Sequence, residues 1–172
     1  AEGSLNAALT ELDKLDSNES FANFKSFHTA LIADVLNSDV RADAAYKKAY
    51  AEAGTSLRVT QAYGNFLERK ARAKEAQEIY RTFLSSSEGN LLVGSALARA
   101  EAGTMPSAFV IDAAAGAGEA LFSLAAAMND DQSIDRRNMT IVVDILSQLG
   151  QVRPQTKRHG PADVELIDHD QH

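Results

Sequence analysis

Ala42-Asp43-Ala44-Ala45-Tyr46-Lys47-Lys48-Ala49 and Ala76-Gln77-Glu78-Ile79-Tyr80-Arg81-Thr82-Phe83 carry one pattern twice, 34 residues apart. Each has a small residue, a tyrosine four positions later and an apolar residue three beyond that. Steps of four and three keep all three side chains on one helix face. Ala8, Leu12 and Leu15 extend the ladder one period towards the N-terminus, and a second ladder, Ala30, Gly64 and Ala98, runs between its rungs. Helices approach closely only where one presents Ala or Gly, and a large ring on the neighbour then fills the gap. The alternation predicts an all-α chain of repeated helix pairs, with Tyr46 and Tyr80 as the fillers.

The helices follow from this frame. Leu5, Ala8, Leu9, Leu12 and Leu15 predict a short helix over 3–15, and the next runs from Ser20 to Leu36 with Phe24, Phe27, Leu31 and Val35 on one stripe. Asn37-Ser38-Asp39 separates it from a helix over Val40 to Ala53. Gly54 is expected to end that helix in a left-handed conformation, and Ser56 to cap the following one to Lys70. Ala73 to Ser86 completes a pair. The order is a half repeat (3–15), repeats over about 20–53 and 56–86, and a degenerate repeat over 91–128. In the last, Leu91 to Ala102 keeps Ala98 in register, but Val110 and Ala114 stand where Ala and Tyr are expected. Gly103-Thr104-Met105-Pro106 links it to an Ala-rich helix capped by Asp112 and ending near Met128. Gly116 and Gly118 weaken that helix but permit close packing. A terminal helix is expected within 129–150 and an irregular tail over 151–172, where Pro154, Gly160 and Pro161 interrupt a polar run.

Composition narrows the functions. The net charge of −7 argues against nucleic acid as a partner, because phosphate binding needs clustered Lys and Arg. Without cysteine there is no disulfide framework, thiolate nucleophile or cysteine-ligated zinc. No apolar run reaches the roughly 18 residues of a membrane span. The compartment stays open between cytoplasm and periplasm.

The spaced small and aromatic residues resemble the tetratricopeptide-repeat family, over Gly3 to about Gly103. The family's usual Trp is replaced by Ser26 and Thr60, and its closing Pro by Gly54 and Glu88. The stretches Ser56 to Arg69 and Gly116 to Phe122 look like the middle of large bacterial proteins of this family. The resemblance implies an α-α superhelix, a solenoid of antiparallel helix pairs, with the first helix of each pair lining a concave peptide-binding face. By register, that face takes Phe24, Phe27, Leu31, Asp34 and Val35 from the first unit. The second supplies Arg58, Gln61, Asn65, Glu68 and Arg69, and the third Leu92, Ser95 and Arg99. The binding candidates are Phe24, Phe27, Leu31, Arg58, Gln61, Asn65, Arg69 and Arg99. Asn65 would bond a peptide backbone and Arg58, Arg69 or Arg99 a carboxylate. The competing reading makes these charged residues solvated i,i+4 partners and has Phe24 and Phe27 pack against a missing preceding helix.

Signs of catalysis are weak. His28, His159, His169 and His172 form no ligand pair on a helix, and His28 has no Ser or Cys motif beside it. Ala115-Gly116-Ala117-Gly118-Glu119 lacks the preceding strand and the Lys-Ser or Lys-Thr of a phosphate loop. No catalytic residue, metal or cofactor is assigned. The expected function is a non-enzymatic scaffold that binds a protein or peptide segment. The alternatives are a structural spacer and a regulatory or targeting segment of a larger bacterial protein. Exposed ends of such an array also favour self-association.

Overall fold

In the computed structural model, residues 2–14 and 19–130 are described. They form seven helices and no strand: α1 (Glu2–Asp13), α2 (Glu19–Val35), α3 (Asp39–Ala53), α4 (Leu57–Arg69), α5 (Ala73–Ser86), α6 (Leu91–Glu101) and α7 (Ala113–Asp130). The terminal helix expected within 129–150, apart from its first two residues, and the tail over 151–172 lie outside the described residues. Short turns fold each helix from α3 to α6 back on its predecessor, and α1 packs on α2. α2 packs on α3, α4 on α5, and the successive units meet through α3 on α4 and α5 on α6.

The turns repeat as well as the helices. Asn37 (φ 57°) and Ala71 (φ 59°) are the left-handed residues that end α2 and α4, and they too stand 34 residues apart. After each, an amide reaches back five residues: Ser38 N–H to the Ala33 carbonyl at 2.8 Å and Arg72 N–H to the Leu67 carbonyl at 2.9 Å. These bonds satisfy carbonyls that a helix end would otherwise leave unpaired. Gly54, expected to take the left-handed role after α3, is right-handed at φ −63°. The turn after α3 is thus made without a left-handed residue, whereas the one between α5 and α6 uses Gly89 at φ 77°. Ser38 and Ser56 stand before their helices but make no side-chain cap bond, whereas Asn90 accepts from Val93 N–H at 3.1 Å. Asp112 caps α7 as its position predicts, accepting from Ala115 N–H at 2.8 Å.

Tyr46 and Tyr80 are both fully buried, on α3 and α5. Tyr80 lies against the bare backbone of Gly64, where a Cβ would overlap its ring. Each tyrosine donates to a carboxylate twelve residues earlier: Tyr46 to Asp34 at 3.2 Å and Tyr80 to Glu68 at 2.7 Å. Each carboxylate also binds an arginine from the following first-type helix, Arg69 on Asp34 and Arg99 on Glu68. A buried hydroxyl, a carboxylate and a guanidinium thus tie three helices together twice, and every partner is satisfied. Burial and the adjacent Glu68 carboxylate push the Tyr80 hydroxyl well above its ordinary pKa.

The third unit departs from the expectation. Where a degenerate repeat over 91–128 is expected, α7 packs on α2 and makes no packing contact with α6 among the described residues. Ala98, the last rung of the second ladder, is consequently exposed. The physical reason is the missing filler: Ala114 stands where the ladder requires a tyrosine, so the ring that would fill the space beside Ala98 is absent at that position. The long connection from Ala102 to Asp112 instead carries the chain back across α4 to α2.

Candidate functional site

The first-type helices α2, α4 and α6 carry the residues assigned to a groove, and residues 107–122 lie over that face. Asn65, on α4, is buried and reads the main chain of this segment from both sides. Its amide nitrogen donates to the Ser107 carbonyl at 2.8 Å, and its amide oxygen accepts the Phe109 N–H at 3.2 Å. The same oxygen accepts from Arg69 Nε at 3.0 Å, one helical turn on, which fixes the amide orientation. Arg69 is itself bound to Asp34. The reading amide is therefore mounted on an ion pair that belongs to the helix core.

Two turns earlier on the same face of α4, Arg58 supplies charge. Its Nε donates to Glu119 of α7 at 2.8 Å, and a second guanidinium nitrogen meets the other carboxylate oxygen. Such a two-point pair is more directional than a single contact. The guanidinium also lies over the Phe109 ring, 4.6 Å from its centre, and 5.5 Å from that of Phe122. Its planar face thus meets aromatic carbon while its edge meets the carboxylate.

The other assigned residues divide by burial. Phe24, Phe27 and Leu31 belong to the core and do not offer an open apolar strip. Arg99 is held two-pronged by Glu68, at 2.7 and 3.1 Å. Leu92 and Ser95 are exposed on α6, outside the covered part of the face. Gln61 is half-buried, and its amide oxygen is buried with no partner among the described residues. The structure thus gathers Arg58, Asn65 and Arg69 beneath one segment and leaves Arg99 in a separate structural pair. Ser107, Phe109 and Glu119, which complete the arrangement, were not assigned from sequence. The available signals were Pro106, which favours extended chain, and an acidic residue in an otherwise Ala- and Gly-rich helix.

His28 sits where α2 is covered by α7. Its ring stacks on Phe24 at 3.9 Å and meets Phe27 edge-on at 5.4 Å, with Nδ1 bonded to the Phe24 carbonyl at 2.9 Å. That bond makes Nδ1 the donor and Nε2 the bare acceptor. Burial lowers its pKa from 6.5 to about 4, against smaller opposing effects from the Phe24 carbonyl and Glu119. The ring is therefore neutral in the fold and protonates more readily when unfolded. Its contribution is complete above about pH 6.5 and is lost progressively as pH falls towards 4, by about 3 kcal/mol in all. His28→Gln should flatten the dependence of urea-unfolding free energy on pH across this window relative to the parent. An unchanged slope would remove His28 as its source.

Among the described residues, no three His, Asp or Glu side chains are grouped to hold a metal, and no helix is long and apolar enough to cross a membrane. Comparison with protein-family models, with curated proteins and with solved structures gives no match for this chain.

Proposed function

We propose that the chain is a non-enzymatic helical-repeat scaffold of the tetratricopeptide type, a short solenoid that holds a protein segment across the face of α2, α4 and α6. One observation supports this reading above the rest. Asn65 bonds both a carbonyl and an amide of the irregular stretch 107–109, which is how a peptide is held irrespective of its side chains. In this chain the held peptide is its own. Fold by itself names no function, so the argument rests on this contact.

The spacer reading has its own support. Arg58, Asn65, Arg69 and Arg99 all have intramolecular partners, so the covered face offers no unpaired charge at these positions. Release of the segment separates the two readings. Phe109→Ser with Glu119→Lys removes the aromatic and acidic contacts without altering α4. Used as bait in an extract of its own source, this released variant should capture protein that the parent does not. Adding Asn65→Ala should abolish the gain. Equal capture by parent and released variant would favour the spacer.

A further inference from the structure

We propose that residues 104–122 are a resident competitor, and that the α4 face recognises in trans a segment of the same chemistry. That segment is an irregular stretch with an aromatic residue under Arg58, continuing into a helix that presents a carboxylate to the same guanidinium. The inference rests on the protein-binding reading above and specifies its ligand.

Three observations carry it. The first is that recognition is built into the helix core and not into the segment. Asn65 is oriented by Arg69, Arg69 is held by Asp34, and Asp34 also accepts from Tyr46, so the reading amide stays in place when the segment leaves. Next, each contact selects a chemical feature. Asn65 requires a free N–H at the position of Phe109, which excludes proline there, while Arg58 requires a ring on its face and an anion at its edge. Loss of Glu119 would leave Arg58 without this partner, which favours an acidic ligand over a neutral one.

The third observation is how the segment is held. Its helix α7 packs on α2 and not on α6, its contacts to α4 run through Asn65 and Arg58, and it is joined to α6 through exposed residues 102–105 with Gly103 left-handed at φ 67°. Met105, Ile111 and Phe122 remain 67%, 71% and 58% exposed, so docking leaves much of the segment's apolar surface in water. Two small anchors, Val110 and Ala120, are buried, and beyond these it is held by a few directional contacts and tethering. A tether raises the effective local concentration to roughly the millimolar range, which masks the face from free ligands without a tight interface.

The probe is a fluorescent peptide with the sequence of residues 104–122, titrated by anisotropy against the full chain. It should bind the released variant, Phe109→Ser with Glu119→Lys, at least about tenfold more tightly than the parent, where the tethered copy competes. The same peptide carrying Lys in place of Glu119 should lose that binding. Equal affinity for parent and released chains, no binding to either, or indifference to the charge change would overturn the proposal.

A second set of variants guards against a released chain that fails to fold. Arg58→Glu and Glu119→Lys should each lower Tm alone, and together should recover part of the loss by restoring the pair with its signs exchanged. Strictly additive losses would contradict the Arg58 contact. The peptide also distinguishes this inference from the reading beneath it. Capture gained on release but not displaced by the peptide would reject this ligand chemistry and leave protein binding standing. No gain of capture on release would reject protein binding itself.

Discussion

Gly64→Ala is expected to destabilise the fold by about 2 kcal/mol, although alanine is the better helix former by roughly 1 kcal/mol. The added methyl would enter the space taken by the Tyr80 ring. That ring has nowhere to withdraw. It is fully buried on α5, and its hydroxyl is held by Glu68 at 2.7 Å. Relief must come from separating α4 from α5, and that loosens the whole unit. Urea unfolding measures the loss directly. The same measurement in a Tyr80→Leu background should show a much smaller loss, or a gain, because the clashing ring is gone and the helix propensity of alanine remains. Additive effects in the two backgrounds would mean that Gly64 and Tyr80 do not share this space.

Glu68→Ala should cost about 3 kcal/mol, the range expected when one partner of a buried charged network is removed. Glu68 is buried and accepts from Tyr80 and, twice, from Arg99. Its loss leaves the tyrosine hydroxyl unpaired in the core and the guanidinium without its carboxylate. Removing the tyrosine hydroxyl alone is expected to cost less than removing the carboxylate. Tyr80→Phe should cost about 1 kcal/mol, since the ring still fills its space. Arg99→Leu should cost about 3 kcal/mol as well, because it leaves the buried Glu68 carboxylate with only the Tyr80 hydroxyl. A Glu68→Ala loss no larger than that of Tyr80→Phe would show that Arg99 contributes nothing through the pair. Thermal or urea unfolding of the three variants decides it.

How much of this could be read from the chain itself differs by position. Tyr46 and Tyr80 were legible because a buried ring beside a small residue leaves a pattern in each repeat, and packing repeats whenever the spacing does. The break after α6 was legible only in part. Ala114 in place of tyrosine marks a missing filler, but nothing local says that α7 turns to α2 instead. The Schellman-type turns at Asn37 and Ala71 were missed because neither residue is glycine, and a left-handed alanine costs about 1 kcal/mol that only tertiary packing can offset. Gly54 drew the assignment by its residue type while the geometry lay elsewhere.

The candidate site shows the same division. Arg58, Asn65 and Arg69 were placed on one face by helical register, and the structure brings them under one segment. Their partners could not be foreseen, since Arg58 and Glu119 are 61 residues apart and meet only because the connection after α6 doubles back. Periodicity reports which way a side chain points. It carries no information about a non-repeating stretch that lies over the repeats.

Exchange of the Phe109 amide hydrogen, followed residue by residue by NMR, tests the central claim most directly. This N–H lies in a connection without regular structure and is bonded only through the Asn65 side chain at 3.2 Å. Its exchange should be slowed well below that of the neighbouring exposed amides in the parent, and Asn65→Ala should return it to their rate while the amides of α3 and α5 stay protected. Rapid exchange at Phe109 in the parent, or protection that survives Asn65→Ala, would contradict a segment held in place by the helix face.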